Sequence, residues 1–197
     1  MNSRERVSEA IARKFVDRIP LGYYAADHDT IEKVIGRPTL VRNKVEAQIA
    51  IWEGRRDDLA ESYKKDSVEF YRKIDCADLI LCKEAPLLPP RGYDPDPPKK
   101  IGDDLWEDRQ GRILKADRHA NDLVCVSNPA TVAKMNSVKD FDRTVEVTLP
   151  DESIFEAFDY LLQELGDERY ICGHVSAASM PMLGPFEDAM MVYALQP

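Results

Sequence analysis

Three short clusters in this 197-residue chain combine side chains that can move protons. They are Asp27-His28-Asp29, Lys83-Glu84 directly after Cys82, and Cys172 with His174. An imidazole with a free pKa of about 6.5 can give or take a proton near neutrality, and a carboxylate can do the same once its surroundings shift it. The first two clusters follow, and the third ends, a short apolar run of strand length: 19–24, 78–82 and 170–175. In parallel α/β sheets the working groups sit just past the C-terminal ends of the strands. Asp27, His28, Glu84 and His174 are therefore the candidate catalytic residues. Cys172 and His174 lie two apart, on one face of a strand, a spacing that allows both to reach one pocket or one soft metal. No metal is assigned to them.

Each candidate also has a plainer role open to it. Asp27 and Asp29 can cap a helix. His28 can be a surface residue, Glu84 can pair with Lys83 or Arg91, and Cys172 can fill space as a small apolar group. His119 lies in a polar stretch and is read as exposed. The Met180, Met182, Met190, Met191 run can line a cofactor or belong to a core or interface. Trp106 and Tyr93 can close over a flat ligand or pack against the domain. There is no GxGxxG or GKS/GKT phosphate loop, and Ser176 and Ser179 lack partners for a triad.

The elements that must position these groups can be read from periodicity. Residues 4–17 place Val7, Ala10, Ile11 and Phe15 at helical spacing. Asp29-Thr30-Ile31-Glu32 has the form of a capping box, and Gly36 and Pro38 close that helix. Asn43 caps a further helix, Gly54 breaks it and Asp57 restarts it. Residues 83–118 form a Pro-rich loop and hairpin insertion, with Gly111 in the hairpin turn. Segments 123–126 and 145–149 are two further strand candidates. Ile154, Phe155, Phe158, Leu161, Leu162 and Leu165 form the clearest helical stripe, and Gly166 stops it. Pro185 opens a last helix carrying Phe186, Met190 and Tyr193. Strands alternating with helical connections predict parallel pairing and an α/β architecture. Three such strands do not close a barrel, and Pro197 stands where another helix would begin, so the chain reads as part of a longer barrel.

Composition narrows the functions. With 27 Lys+Arg against 36 Asp+Glu the net charge is −9, which excludes a basic nucleic-acid footprint. No apolar run is long enough for a membrane span, and the N-terminus lacks the apolar stretch of a secretory signal. Four scattered cysteines without a CxxC pair read as reduced thiols in a cytoplasmic protein.

Arg18-Ile19-Pro20-Leu21, Gly36-Arg37-Pro38, the 74–80 segment, Trp106-Glu107-Asp108 with Gly111-Arg112, and Gly166-Asp167 through Gly173-His174-Val175 together resemble the uroporphyrinogen decarboxylase superfamily, which includes corrinoid-dependent methyltransferases. The resemblance spans nearly all of residues 1–197 and corresponds to the N-terminal half of the family's barrel. It implies a partial (β/α)8 TIM-barrel, with N-terminal strands and helices and a small β-hairpin excursion. It also implies a tetrapyrrole or corrinoid (cobalamin) substrate or partner, a corrinoid protein as a companion, and a homodimer. The decarboxylases' carboxylate-gripping arginines have no match in residues 22–29, and their catalytic aspartate finds only Lys83 or Glu84. Methyl transfer is therefore the first expectation. Uroporphyrinogen decarboxylation is the second, and an inactive half-barrel or barrel-completing module the third.

Overall fold

The computed structural model describes residues 1–82, 87–129 and 149–173. In chain order its elements are α1 (Ser3–Ile11), β1 (Gly22–Tyr23), α2 (His28–Ile35), α3 (Lys44–Trp52), α4 (Arg56–Ile74), β2 (Leu79–Ile80), β3 (Lys99–Gly102), β4 (Leu105–Glu107), β5 (Ile113–Asp117), β6 (Asp122–Ser127), α5 (Glu156–Leu165) and β7 (Tyr170–Ile171). The three apolar runs lie side by side as expected. β1, β2 and β7 form a parallel sheet in that order, with Gly22 opposite Leu79 and Ile80 opposite Ile171. The Cys172 amide donates to the Ile80 carbonyl at 2.8 Å and carries the ladder one residue further.

Helices supply the core that covers this sheet. Ile31 and Ile35 of α2, Leu59 and Tyr71 of α4, and Ala157, Leu161 and Leu165 of α5 are buried with Ile80. Burying a side chain of leucine or isoleucine size contributes roughly 1.5–3 kcal/mol. The α5 stripe is narrower than its sequence suggests, because Phe155 and Leu162 face solvent in part. Gly36 ends α2 in the left-handed conformation, φ 83°, with open space where a side chain would stand. A Gly36→Ala variant is expected to lose about 1 kcal/mol in a urea titration, from backbone strain alone. A loss above about 3 kcal/mol would show that the space is not open.

Local differences from the sequence reading have local causes. α1 ends at Ile11 rather than 17, because Arg13 turns left-handed at φ 57°. Ile11 and Phe15 are consequently exposed. The N-cap of α2 is Asp27, not Asp29, and Asp29 instead pairs with Lys33 one turn later. Gly166 ends α5 in right-handed geometry. A Cβ there would stand 2.4 Å from the Leu162 carbonyl oxygen, so close approach is what requires glycine.

The expected hairpin is the centre of a larger antiparallel meander, β3-β4-β5-β6, inserted between β2 and α5. Asp108 accepts from the Gln110 and Arg112 amides and from Arg112 Nε, and Gly111 turns at φ 74°. The meander docks on α3 through a small second core. Trp106 and Ala116 meet Val45, and Trp106 lies 5.5 Å from Trp52 at a 51° tilt. Trp106 is thus packing rather than a ligand cover, and the Tyr93 hydroxyl is committed to the Ile51 carbonyl at 2.6 Å. The described part of the Pro-rich loop wraps the helices: Leu88 is buried and its amide donates to Ile154, while the Pro89 carbonyl accepts from Arg56.

Candidate functional site

A parallel sheet has two chemically different ends, and the motif residues divide between them. At the N-terminal end, Asp78 precedes β2 and is fully buried. One of its carboxylate oxygens accepts from Ser3 Oγ (2.6 Å), Arg6 Nη1 (2.6 Å) and Arg18 Nη2 (2.9 Å). The other accepts from Arg18 Nη1 (2.5 Å) and the Leu21 amide (2.9 Å). Burial pushes the Asp78 carboxyl up, and the bonds from Arg18, Ser3, Leu21 and Arg6 more than reverse this, leaving it well below the usual carboxylate range. Arg6 is shared with Asp17, whose carboxyl its hydrogen bonds hold down to about 2. This latch fastens α1 and the Arg18-Ile19-Pro20 motif beneath the sheet. Arg37 of the Gly36-Arg37-Pro38 motif is likewise spent on structure, bonded to Asp66 and Glu69 of α4 at 2.6 Å each. Both motif arginines therefore hold elements together.

The described candidate residues, Asp27 and His28, belong to the other end. Asp27 follows β1, is mostly exposed, and pairs with Arg42 at 3.3 Å. His28, partly buried, is the first residue of α2, and its Nδ1 lies 3.1 Å from Asn121 Nδ2 in the β5–β6 turn. Cys82 follows β2, buried and left-handed at φ 48°. Cys172 follows β7 and is half-buried. Glu84 with Lys83, and His174 with Val175, lie outside the described residues. So do Ser176, Ser179, the methionine run, the helix opened by Pro185 and most of the 145–149 strand. The structure thus brings Asp27 and His28 together at one strand end and leaves their distance to Glu84 and His174 open. His119 is exposed in the β5–β6 turn.

No family model, curated protein or solved structure matches this chain. None of the four cysteines is in a disulfide. Among the described residues no group of three or more His, Cys, Asp or Glu side chains could hold a metal ion, and no helix is long and apolar enough to cross a membrane.

A groove of about 910 Å³ opens beside the N-terminus of α4, lined in part by Arg55, Arg56, Arg91, Tyr93 and Glu156. Its charges compensate internally. Glu156 accepts from Arg56 at 3.0 Å and from Lys64, and pairs with Arg91 at 3.1 Å. Burial raises its carboxyl, and these three cations outweigh burial to bring it to about 2. The cluster ties α4, α5 and the Pro-rich loop together at the same end of the sheet as Asp27 and His28. Sequence reading missed both Glu156 and Asp78. An aspartate opening an apolar run was the available signal for Asp78, because a carboxylate carried into a core requires buried cationic or hydrogen-bonding partners.

Proposed function

We propose that the chain is the N-terminal part of a uroporphyrinogen decarboxylase-like barrel that transfers methyl groups with a corrinoid partner. The observation that carries this reading is the parallel β1-β2-β7 order, with Asp27-His28, Cys82 and Cys172 all following strand ends on the same side. Two features support it. β1 and β7 each have one strand neighbour among the described residues, as staves of an unclosed barrel would. Cys82 adopts a left-handed backbone directly before the Glu84 segment, the kind of local strain that clusters at functional sites.

Tyr24, 74% exposed just after β1, offers a flat ring to a planar macrocycle. A bound corrinoid would carry the methyl group. The protein's task is then at the substrate atom that loses it. That oxygen, nitrogen or sulfur keeps the bonding pair and needs a proton, which His174 or Glu84 supplies as general acid. Asp27 and His28 line the same mouth and orient the substrate by hydrogen bonds.

The decarboxylase alternative requires free cations for the substrate's carboxylates. Of the nearby cations Arg18, Arg37, Arg42 and Lys83, the three arginines are engaged with acids of the protein itself, which favours methyl transfer, and Lys83 lies outside the described residues. The test runs the transfer in reverse: the full-length protein is incubated with methylcobalamin and a small thiol, whose proton the same residue must then take, and the loss of the methylcobalamin absorbance is followed. Enzyme-dependent demethylation, slowed on the order of 10²-fold or more by His174→Ala, is expected. Inertness toward methylcobalamin together with conversion of uroporphyrinogen to coproporphyrinogen would establish decarboxylation instead. Inertness toward both would leave a barrel-completing module.

A further inference from the structure

We infer that Asn121 is a positioning residue that fixes His28 as the Nε2–H tautomer, so that His28 serves the site as a neutral hydrogen-bond donor and not as a base at Nε2. Asn121 sits left-handed, φ 49°, in the β5–β6 turn. Its Oδ1 accepts from the Val45 amide at 3.3 Å, and its Nδ2 donates to the Arg42 carbonyl at 2.8 Å. These two backbone partners fix which end of the amide is which. A flip would set N–H against N–H at Val45 and oxygen against oxygen at Arg42. The amide nitrogen has one further N–H, and it faces His28 Nδ1 at 3.1 Å. Nδ1 must therefore accept, and the ring's proton resides on Nε2.

The contact joins four segments: the first residue of α2, the backbone of Arg42, the first turn of α3 and the β5–β6 turn. Charged groups around this junction are Asp27, Asp29, Arg42, Lys44 and Asp122. The inserted meander thereby acquires a purpose beyond covering α3, since it reaches back to set the hydrogen-bonding sense of an imidazole after β1. A neutral Nε2–H donor suits stabilisation of charge that develops on a substrate atom. That role rests on the reading of the strand ends as a reaction mouth; the tautomer does not.

The experiment is a long-range ¹H–¹⁵N correlation spectrum of ¹⁵N-histidine-labelled protein at neutral pH. His28 is assigned by its loss in His28→Gln. In the wild type, Nδ1 is expected to show the unprotonated shift and Nε2 the protonated one. In Asn121→Asp a carboxylate oxygen replaces the donor, and the proton is expected to move to Nδ1. Asn121→Gly, which keeps the left-handed backbone, is expected to relax to the mixture of a free imidazole and serves where Asn121→Asp fails to fold. A protonated Nδ1 in the wild type, or one unchanged tautomer in all variants, would overturn the assignment. This readout needs no turnover, so absence of methyl transfer would refute the functional reading while leaving the tautomer standing. Where turnover is found, Asn121→Asp is expected to lower kcat on the order of 10²-fold with KM little changed. An unchanged kcat with a switched tautomer would remove His28 as donor.

Discussion

Asp78→Ala is expected to cost about 3–5 kcal/mol, enough to unfold a marginally stable domain, and the loss is read as a lowered urea midpoint. The carboxylate is fully buried, so its removal strands Ser3 Oγ, a buried Arg6 and the Leu21 amide at once. Arg6 keeps Asp17 and the Met1 carbonyl, which sets the upper limit of the damage. Asp75, three residues earlier, provides the contrast. Its side chain is mostly exposed and its partner is Arg169, so Asp75→Ala is expected to cost under about 1 kcal/mol. Equal losses at the two positions would mean that the Asp78 cluster contributes no more than a surface pair.

That cluster and the one around Glu156 together set the acid limb of stability. Asp78, Asp17 and Glu156 all have folded pKa values below their unfolded ones. A group of this kind contributes fully above its unfolded pKa, about 4, and the contribution disappears as pH falls toward the folded value. Stability is therefore expected to fall between about pH 4.5 and 2, and Asp78→Ala to flatten that slope.

The second large effect belongs to the apolar side. Leu161 is fully buried on the face of α5 that packs against α4. Leu161→Ala is expected to destabilise by about 2–5 kcal/mol, the lost transfer energy plus the cavity left between two helices that cannot collapse onto it. Leu162, adjacent in sequence but 41% exposed, is expected to tolerate alanine at much smaller cost. A reversed order would place the α5 stripe on the wrong face.

These two residues also show what a sequence can and cannot reveal here. Leu161 was legible because helical periodicity is local, as were the Asn43 cap and the Gly36 stop. Asp78 was read only as the start of an apolar run, because its partners Arg18, Arg6 and Ser3 lie 60, 72 and 75 residues away. α1 misled for the same reason. Of its stripe Val7 is buried as read, but Ile11 and Phe15 are exposed, and the Arg6 ion pairs hold the helix alongside Val7. β3 was hidden because Lys99-Lys100-Ile101-Gly102 has no alternating apolar pattern and gains its place from pairing with β4. Of the four candidate site residues, Asp27 and His28 lie past a strand end as read, and the Asn121 contact to His28 spans 93 residues that no spacing rule connects.

The most direct measurement is a crystal structure of the full-length protein grown with hydroxocobalamin. The expected result is a corrin ring over the C-terminal ends of β1, β2 and β7, with Glu84 and His174 on the same side of the sheet as Asp27 and His28. A corrin bound elsewhere, or Glu84 and His174 on opposite sides of that sheet, would contradict it.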